Sequence, residues 1–141
     1  MHPTDTQVYW VLQALASLFL AILFLQSGID KIVDRRRNLD YFTGHFARSP
    51  LAKTVPPMFL TMTVLETLSG LLNGIGFLLV VFRHEPGVAF CGAVLSGISL
   101  CALFFGQRVA KDYAGAAVLV PYFVLVLMAI WLLGVDHLVI I

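Results

Sequence analysis

Four apolar runs of membrane-spanning length, separated by short polar connections, constrain this chain more than any other feature. The first runs from Val8 to about Ser27, the second from Met58 to Phe82, the third from about Val88 to Phe105 and the fourth from about Ala114 to Leu133. A helix needs about 20 apolar residues to cross a bilayer core, so four such spans take up nearly all of the 141 residues. Lipid offers backbone N–H and C=O groups no partners, and uninterrupted apolar runs must therefore close their hydrogen bonds within helices. A membrane barrel would show strict alternation of apolar and polar residues, which is absent here. The expected fold is an all-α membrane protein, a four-transmembrane-helix bundle forming a single domain over residues 1–141.

Composition narrows the function classes. Hydrophobic residues make up 60% of the chain and charged residues 12%, with a mean hydropathy of +0.92, against about 45–50% and about 25% in soluble domains. A soluble enzyme, a basic nucleic-acid binder, a disordered regulator and a multidomain receptor are all excluded on these grounds. The lipid bilayer is the expected environment, and no nucleic acid is expected among the partners. Cys91 and Cys101 are ten residues apart in one span, about 15 Å along a helix axis, too far to pair with each other. With no C-x-x-C motif, thiol-based electron shuttling to a quinone is excluded as well.

The leader Met1–Gln7 has no Lys or Arg and no evident cleavage site follows the first run, so that helix is expected to be retained rather than removed as a signal peptide. The connections after spans one and three hold Lys31, Arg35, Arg36, Arg37, Arg48, Lys53, Arg108 and Lys111, and the opposite side holds only Arg83. This bias predicts both connections in the cytoplasm and both termini outside, as in a multi-pass protein of a bacterial inner membrane. Trp10 and Trp131 then share the outer interface, and Tyr113 lies at the inner one. Within the first connection, Leu39, Phe42 and Phe46 fall on one helical face beside three consecutive arginines. That pattern predicts a short amphipathic helix lying on the membrane surface over about 34–49. Its arginines serve orientation and lipid anchoring, or else a docking surface for a partner subunit.

Glu66 stands out chemically because it lies about two turns inside the second span, where a carboxylate is costly unless paired or protonated. Thr63, Glu66, Thr67, Gly70, Asn73, Gly74 and Phe77 share a small, polar stripe that must face other helices. Asp30 and Lys31 close the first span, and Lys31 is expected to reach Glu66. The candidate polar site is thus Glu66, Lys31, Asp30 and Asn73. It reads either as a buried pair holding helix register or as a proton-carrying or quinone-contacting acid. The histidines give no axial haem pair, since His2, His45, His84 and His137 all lie outside the span centres. A weak outer metal site from His84 and His137 is the less economical reading of solvated helix ends, and no metal is expected.

Elsewhere the spans read as packing surfaces. Ala93, Gly97 and Cys101, together with Gly92 and Ser96, allow close helix approach in the third span. Gly115, Ala116 and Ala117 do the same early in the fourth, where Pro121 is expected to kink the helix or free a carbonyl. The apolar end Leu138–Ile141 is expected to be buried at an interface or in the outer leaflet.

Three segments resemble one family. They are Phe24-Leu25-Gln26-Ser27-Gly28-Ile29-Asp30-Lys31, Glu66-Thr67-Leu68-Ser69-Gly70-Leu71-Leu72, and the stretch from Gln107 to Ala117 that contains Asp112-Tyr113-Ala114-Gly115. Together they are similar to the DoxX family of small four-helix membrane proteins of bacteria and archaea. The resemblance covers most of the chain and points to Gly28, Asp30, Lys31, Glu66, Gly70, Asp112, Tyr113 and Gly115, without implying a catalytic role for any of them. It implies a relation to a subunit of a thiosulfate:quinone oxidoreductase and, for some members, an accessory place in redox or respiratory systems, most having no assigned activity. No cofactor is expected from the residues themselves, and a quinone is the one left open.

Three functions follow in order. The first is a non-catalytic accessory or structural subunit of a larger inner-membrane complex, most plausibly a respiratory electron-transfer complex. Its partner subunits would dock through helix faces, the 34–49 segment or the C-terminal tail. The second is a membrane subunit of a quinone-linked oxidoreductase with Glu66 and Lys31 lining a quinone or proton site. The third is a small proton-coupled transporter.

Overall fold

The computed structural model describes residues 3–138. Helix α1 spans Pro3–Val33, α2 Arg35–His45, α3 Val55–Arg83, α4 Gly87–Val109 and α5 Tyr113–Leu138, with a 3-10 turn at Ala52–Thr54 leading into α3. Four of these, α1, α3, α4 and α5, are long and apolar enough to cross a membrane, and no strand occurs among the described residues. The chain is a multi-pass, all-α membrane bundle. Large apolar side chains such as Phe82, Val118, Met128 and Trp131 stay exposed on its outside, as contact with lipid requires.

Every span is longer than the apolar runs alone indicate. Gly28-Ile29-Asp30-Lys31, which reads as a polar turn, remains helical up to Val33. Lys31 lies in the last turn of α1, where the helix dipole favours a cation, and its charge is met by α3 instead of water. Pro56 and Pro57 fall inside the first turn of α3, where a missing N–H removes no helical bond. That helix ends at His84, which takes a left-handed conformation (φ 54°) and returns its N–H to the Val80 carbonyl. Before α5, Lys111 also has a positive φ of 60°. Asp112 then caps the helix by accepting the Gly115 N–H at 2.9 Å. Helix α5 runs through Pro121 without a break. A short helix is present in the expected segment as α2, somewhat shorter than 34–49. The apolar tail expected at an interface lies at and beyond the end of the described residues.

Helix α3 is the central element, packing along α1 on one side and α4 on the other, while α5 packs on α4 and closes more sparsely onto α1. The stripe read from the sequence therefore divides into two faces. Thr67, Gly70 and Gly74 approach α1, whereas Ser69, Asn73 and Gly76 meet α4. A Cβ at Gly70 would stand 2.6 Å from the Leu25 backbone nitrogen, so only glycine lets the two helices come this close. Leu20, Phe24, Val80, Ala89, Ala93, Val126, Ala129 and Leu133 belong to the apolar core. This core lies mainly away from the arginine-rich connections. The half of the bundle nearer those connections holds a buried polar group and an open cavity.

Candidate intramembrane ligand site

Ser27 and Lys31 are four residues apart on α1 and so project from the same face. Both meet Glu66 of α3. Lys31 Nζ lies 2.7 Å from Glu66 Oε2 and 3.1 Å from Ser27 Oγ, and the Ser27 hydroxyl donates to Glu66 Oε2 at 2.8 Å. The pair is nearly dry, with side-chain exposures of 10% for Lys31 and 3% for Glu66. An ammonium has three N–H donors, of which these contacts use two. Lys31 Nζ also stands 5.9 Å from the Phe42 ring centre, at the outer limit of a cation–π contact. A buried charge is tolerated only when paired and hydrogen-bonded, and the Ser27–Lys31–Glu66 arrangement meets that condition.

The triad forms one wall of an open cavity of about 650 Å³ lined by α1, α2, α3, α4 and Leu119 of α5. Phe42, Phe46, Met58, Met62, Leu103 and Phe105 supply much of its apolar lining. Its volume falls in the roughly 300–1,000 Å³ range of small-molecule sites, and a largely apolar wall with a few convergent polar groups is their usual chemistry. Helix α2 covers one side. Its Phe42 packs edge-on against Phe59 of α3 with ring centres 5.3 Å apart, and Phe46 just beyond the helix is buried. His45 ties α2 to the far connection, with Nε2 3.1 Å from Gln107 Oε1 and 3.7 Å from Asp112 Oδ2.

Of the four residues singled out in the sequence, Lys31 and Glu66 are brought together as expected. Asp30 turns outward, is exposed, and contributes its carbonyl to the α1–α2 junction by accepting from the Asp34 N–H and Asn38 Nδ2. The reason is helical geometry, since adjacent residues on a helix point about 100° apart. Asn73 lies two turns farther along α3 and does not line the cavity. Its Nδ2 donates to the Ser69 carbonyl at 2.7 Å and to Ser96 Oγ at 2.9 Å, and Ser69 and Ser99 meet at 3.2 Å. These bonds stitch α3 to α4 and leave Asn73 Oδ1 without a partner.

The remaining motif positions have structural work. Gly28 and Gly70 allow α1 and α3 to touch, at Thr67 and Leu25 respectively. Asp112 and Gly115 form the α5 cap, and Tyr113 is exposed beneath the Arg108 guanidinium at 4.5 Å. Ser27, His45 and Gln107 are among the cavity residues that the sequence reading did not single out as site residues. His45 is three residues after Phe42 and shares the apolar face of α2, a placement visible in the helical spacing. Gln107, at the end of α4, gives no comparable signal.

The other candidates do not converge. His84 packs against Trp10, with ring centres 5.4 Å apart, and the Trp10 indole N–H donates to the Val80 carbonyl at 2.8 Å. The His137 side chain lies outside the described residues. No three His, Cys, Asp or Glu side chains among the described residues gather as a metal-ligand set. Cys91 and Cys101 are exposed and unpaired. Comparisons with protein-family models, characterised proteins and solved structures give no match. The resemblance to the DoxX family rests on the three motif segments alone.

The arrangement offers three chemical capabilities. The cavity can take up an apolar body beside a polar end. The Lys31 ammonium, with one N–H beyond those given to Glu66 and Ser27, can donate a hydrogen bond to an acceptor oxygen. The Glu66 carboxyl can hold or release a proton in a place largely shielded from water.

Proposed function

We propose that this protein is the ligand-binding membrane subunit of a quinone-linked oxidoreductase in a bacterial inner membrane. The carrying observation is the 650 Å³ apolar cavity walled at one point by the buried Lys31–Glu66 pair. A quinone has a flat head with two acceptor carbonyls and an apolar tail. Lys31 is a donor of the kind its carbonyls accept, and the aromatic and methionine side chains suit its ring and tail. Bound there, a quinone would supply two-electron, two-proton carrier chemistry. In this reading Lys31 orients the head, Glu66 holds the proton exchanged with it, and Phe42 and Phe46 keep water out. Electrons come from a partner subunit. The charge bias of the connections supports placing the cavity in the cytoplasmic half of the bilayer, with both termini on the outer side.

The accessory-subunit reading is favoured by a different observation. In α5 only 22% of the apolar window is buried, against 33–39% in the other three spans. This leaves α5 the most open face for a neighbouring membrane subunit. The two readings are compatible, because a quinone-binding subunit without its own electron donor must assemble with one.

The test is purification in mild detergent followed by lipid extraction and quantification of quinone per protein. Met58→Trp, which puts a bulkier side chain into the cavity wall about 12 Å along α3 from Glu66, serves as the control. Near-stoichiometric quinone in the parent and its loss in Met58→Trp support the proposal. Equal quinone in both, at the level carried by empty micelles, refutes it.

A further inference from the structure

We infer that the Lys31–Glu66 pair makes the cavity selective for amphiphiles with an uncharged head, and that Glu66 is the residue that excludes anionic ones. The inference rests on the cavity being a ligand site, as proposed above, and specifies the charge class it takes. Among the described residues, Lys31 is the one Lys or Arg in the cavity wall and Glu66 the one carboxylate. They lie 2.7 Å apart, so the pair is neutral overall whichever partner holds the proton. An anionic head reaching Lys31 must compete with a carboxylate already in contact and further tied by Ser27 at 2.8 Å. It would also bring a net negative charge against a largely apolar wall, which is unfavourable without a free counter-charge. Of the other ionisable side chains of the lining, His45 has the Asp112 carboxylate at 3.7 Å and is no free cation, and Tyr41 is never cationic. An uncharged head needs only a hydrogen bond, and Lys31 retains one N–H beyond those given to Glu66 and Ser27. Anionic amphiphiles abound in membranes, and a neutral-head site must be built to refuse them.

The experiment uses two photoactivatable C16 probes with a diazirine in the chain, one an alcohol and one a permanently ionised sulfonate. Each is incorporated with the full-length protein in nanodiscs, and labelled peptides are identified by mass spectrometry. The parent protein is expected to label within the cavity segments 41–62 and 102–107 with the alcohol and far less with the sulfonate. Glu66→Gln keeps the side-chain shape but leaves Lys31 uncompensated, and its sulfonate-to-alcohol ratio should rise by about tenfold or more, the equivalent of one charge-assisted contact. The double variant Lys31→Gln/Glu66→Gln is again neutral and should return to the parent ratio. This guards against a fold defect in the single variant, because a merely structural role for the pair would leave the ratio unmoved in both. Equal labelling of the parent by both probes, or an unchanged ratio in Glu66→Gln, overturns the selectivity. Absence of cavity labelling by either probe in the parent overturns the ligand-site reading itself. Co-purified diacylglycerol in place of quinone would uphold neutral-head selection while refuting the quinone assignment.

Discussion

Breaking the Lys31–Glu66 pair from one side should destabilise the bundle far more than removing it whole. Glu66→Leu leaves a Lys31 ammonium with 10% side-chain exposure and only Ser27 at 3.1 Å to accept from it. Stranding one member of a buried pair costs about 3–5 kcal/mol. Lys31→Met strands the Glu66 carboxylate, at 3% exposure and with Ser27 as its remaining donor, and the same range applies. The double variant Lys31→Met/Glu66→Leu removes both desolvated charges and replaces them with apolar groups of similar volume, which should restore stability to within about 1 kcal/mol of the parent. The two single losses would sum to about 6–10 kcal/mol, so the cycle predicts a coupling energy of at least about 5 kcal/mol. Steric-trapping or denaturant unfolding of the four proteins in one detergent gives the cycle directly. Single variants each within about 0.5 kcal/mol of the parent, or a double variant equal to the sum of the singles, would show that the pair is not a buried, mutually dependent unit.

Other contacts give smaller, separable effects. Gly70→Ala places a methyl 2.6 Å from the Leu25 backbone nitrogen, and the helix separation this forces should cost about 1–3 kcal/mol in unfolding free energy. Asp112→Ala removes the α5 cap and should lower stability by about 1 kcal/mol, with faster hydrogen exchange confined to the first turn of α5. Trp10→Phe keeps the ring but loses the 2.8 Å bond to the Val80 carbonyl, costing about 0.5–1.5 kcal/mol. An unchanged melting temperature would show that bond to be idle.

The architecture was legible because lipid removes the alternatives. An apolar run of sufficient length must be a helix, and the four runs, their order and the amphipathic segment between the first two all follow from hydrophobic patterning. The helix ends were not legible, because polar residues that terminate a run on water's side can remain helical when a partner helix receives them. Lys31 is the clearest case, being helical because Glu66 is there. The pairing itself was readable, since a carboxylate two turns into a span must find a partner and few cations were near. The cavity was not, because it depends on how α2 folds back over α3 and α4. Helical spacing places His45 with Phe42 but does not say what that face will cover. Asp30 was grouped with Glu66 as the neighbour of Lys31 and Asn73 as a member of the same polar stripe, whereas helix rotation sends Asp30 outward and axial rise carries Asn73 beyond the cavity.

The most direct test of the central claim is to photolabel the protein in nanodiscs with an azidoquinone and map the attached peptides. The account predicts labelling concentrated on segments 41–46, 57–66 and 102–107, competed by excess unmodified quinone and lost in Met58→Trp. Labelling spread over the open surface of α5, from Val118 to Val124, and insensitive to both competitor and variant would contradict it.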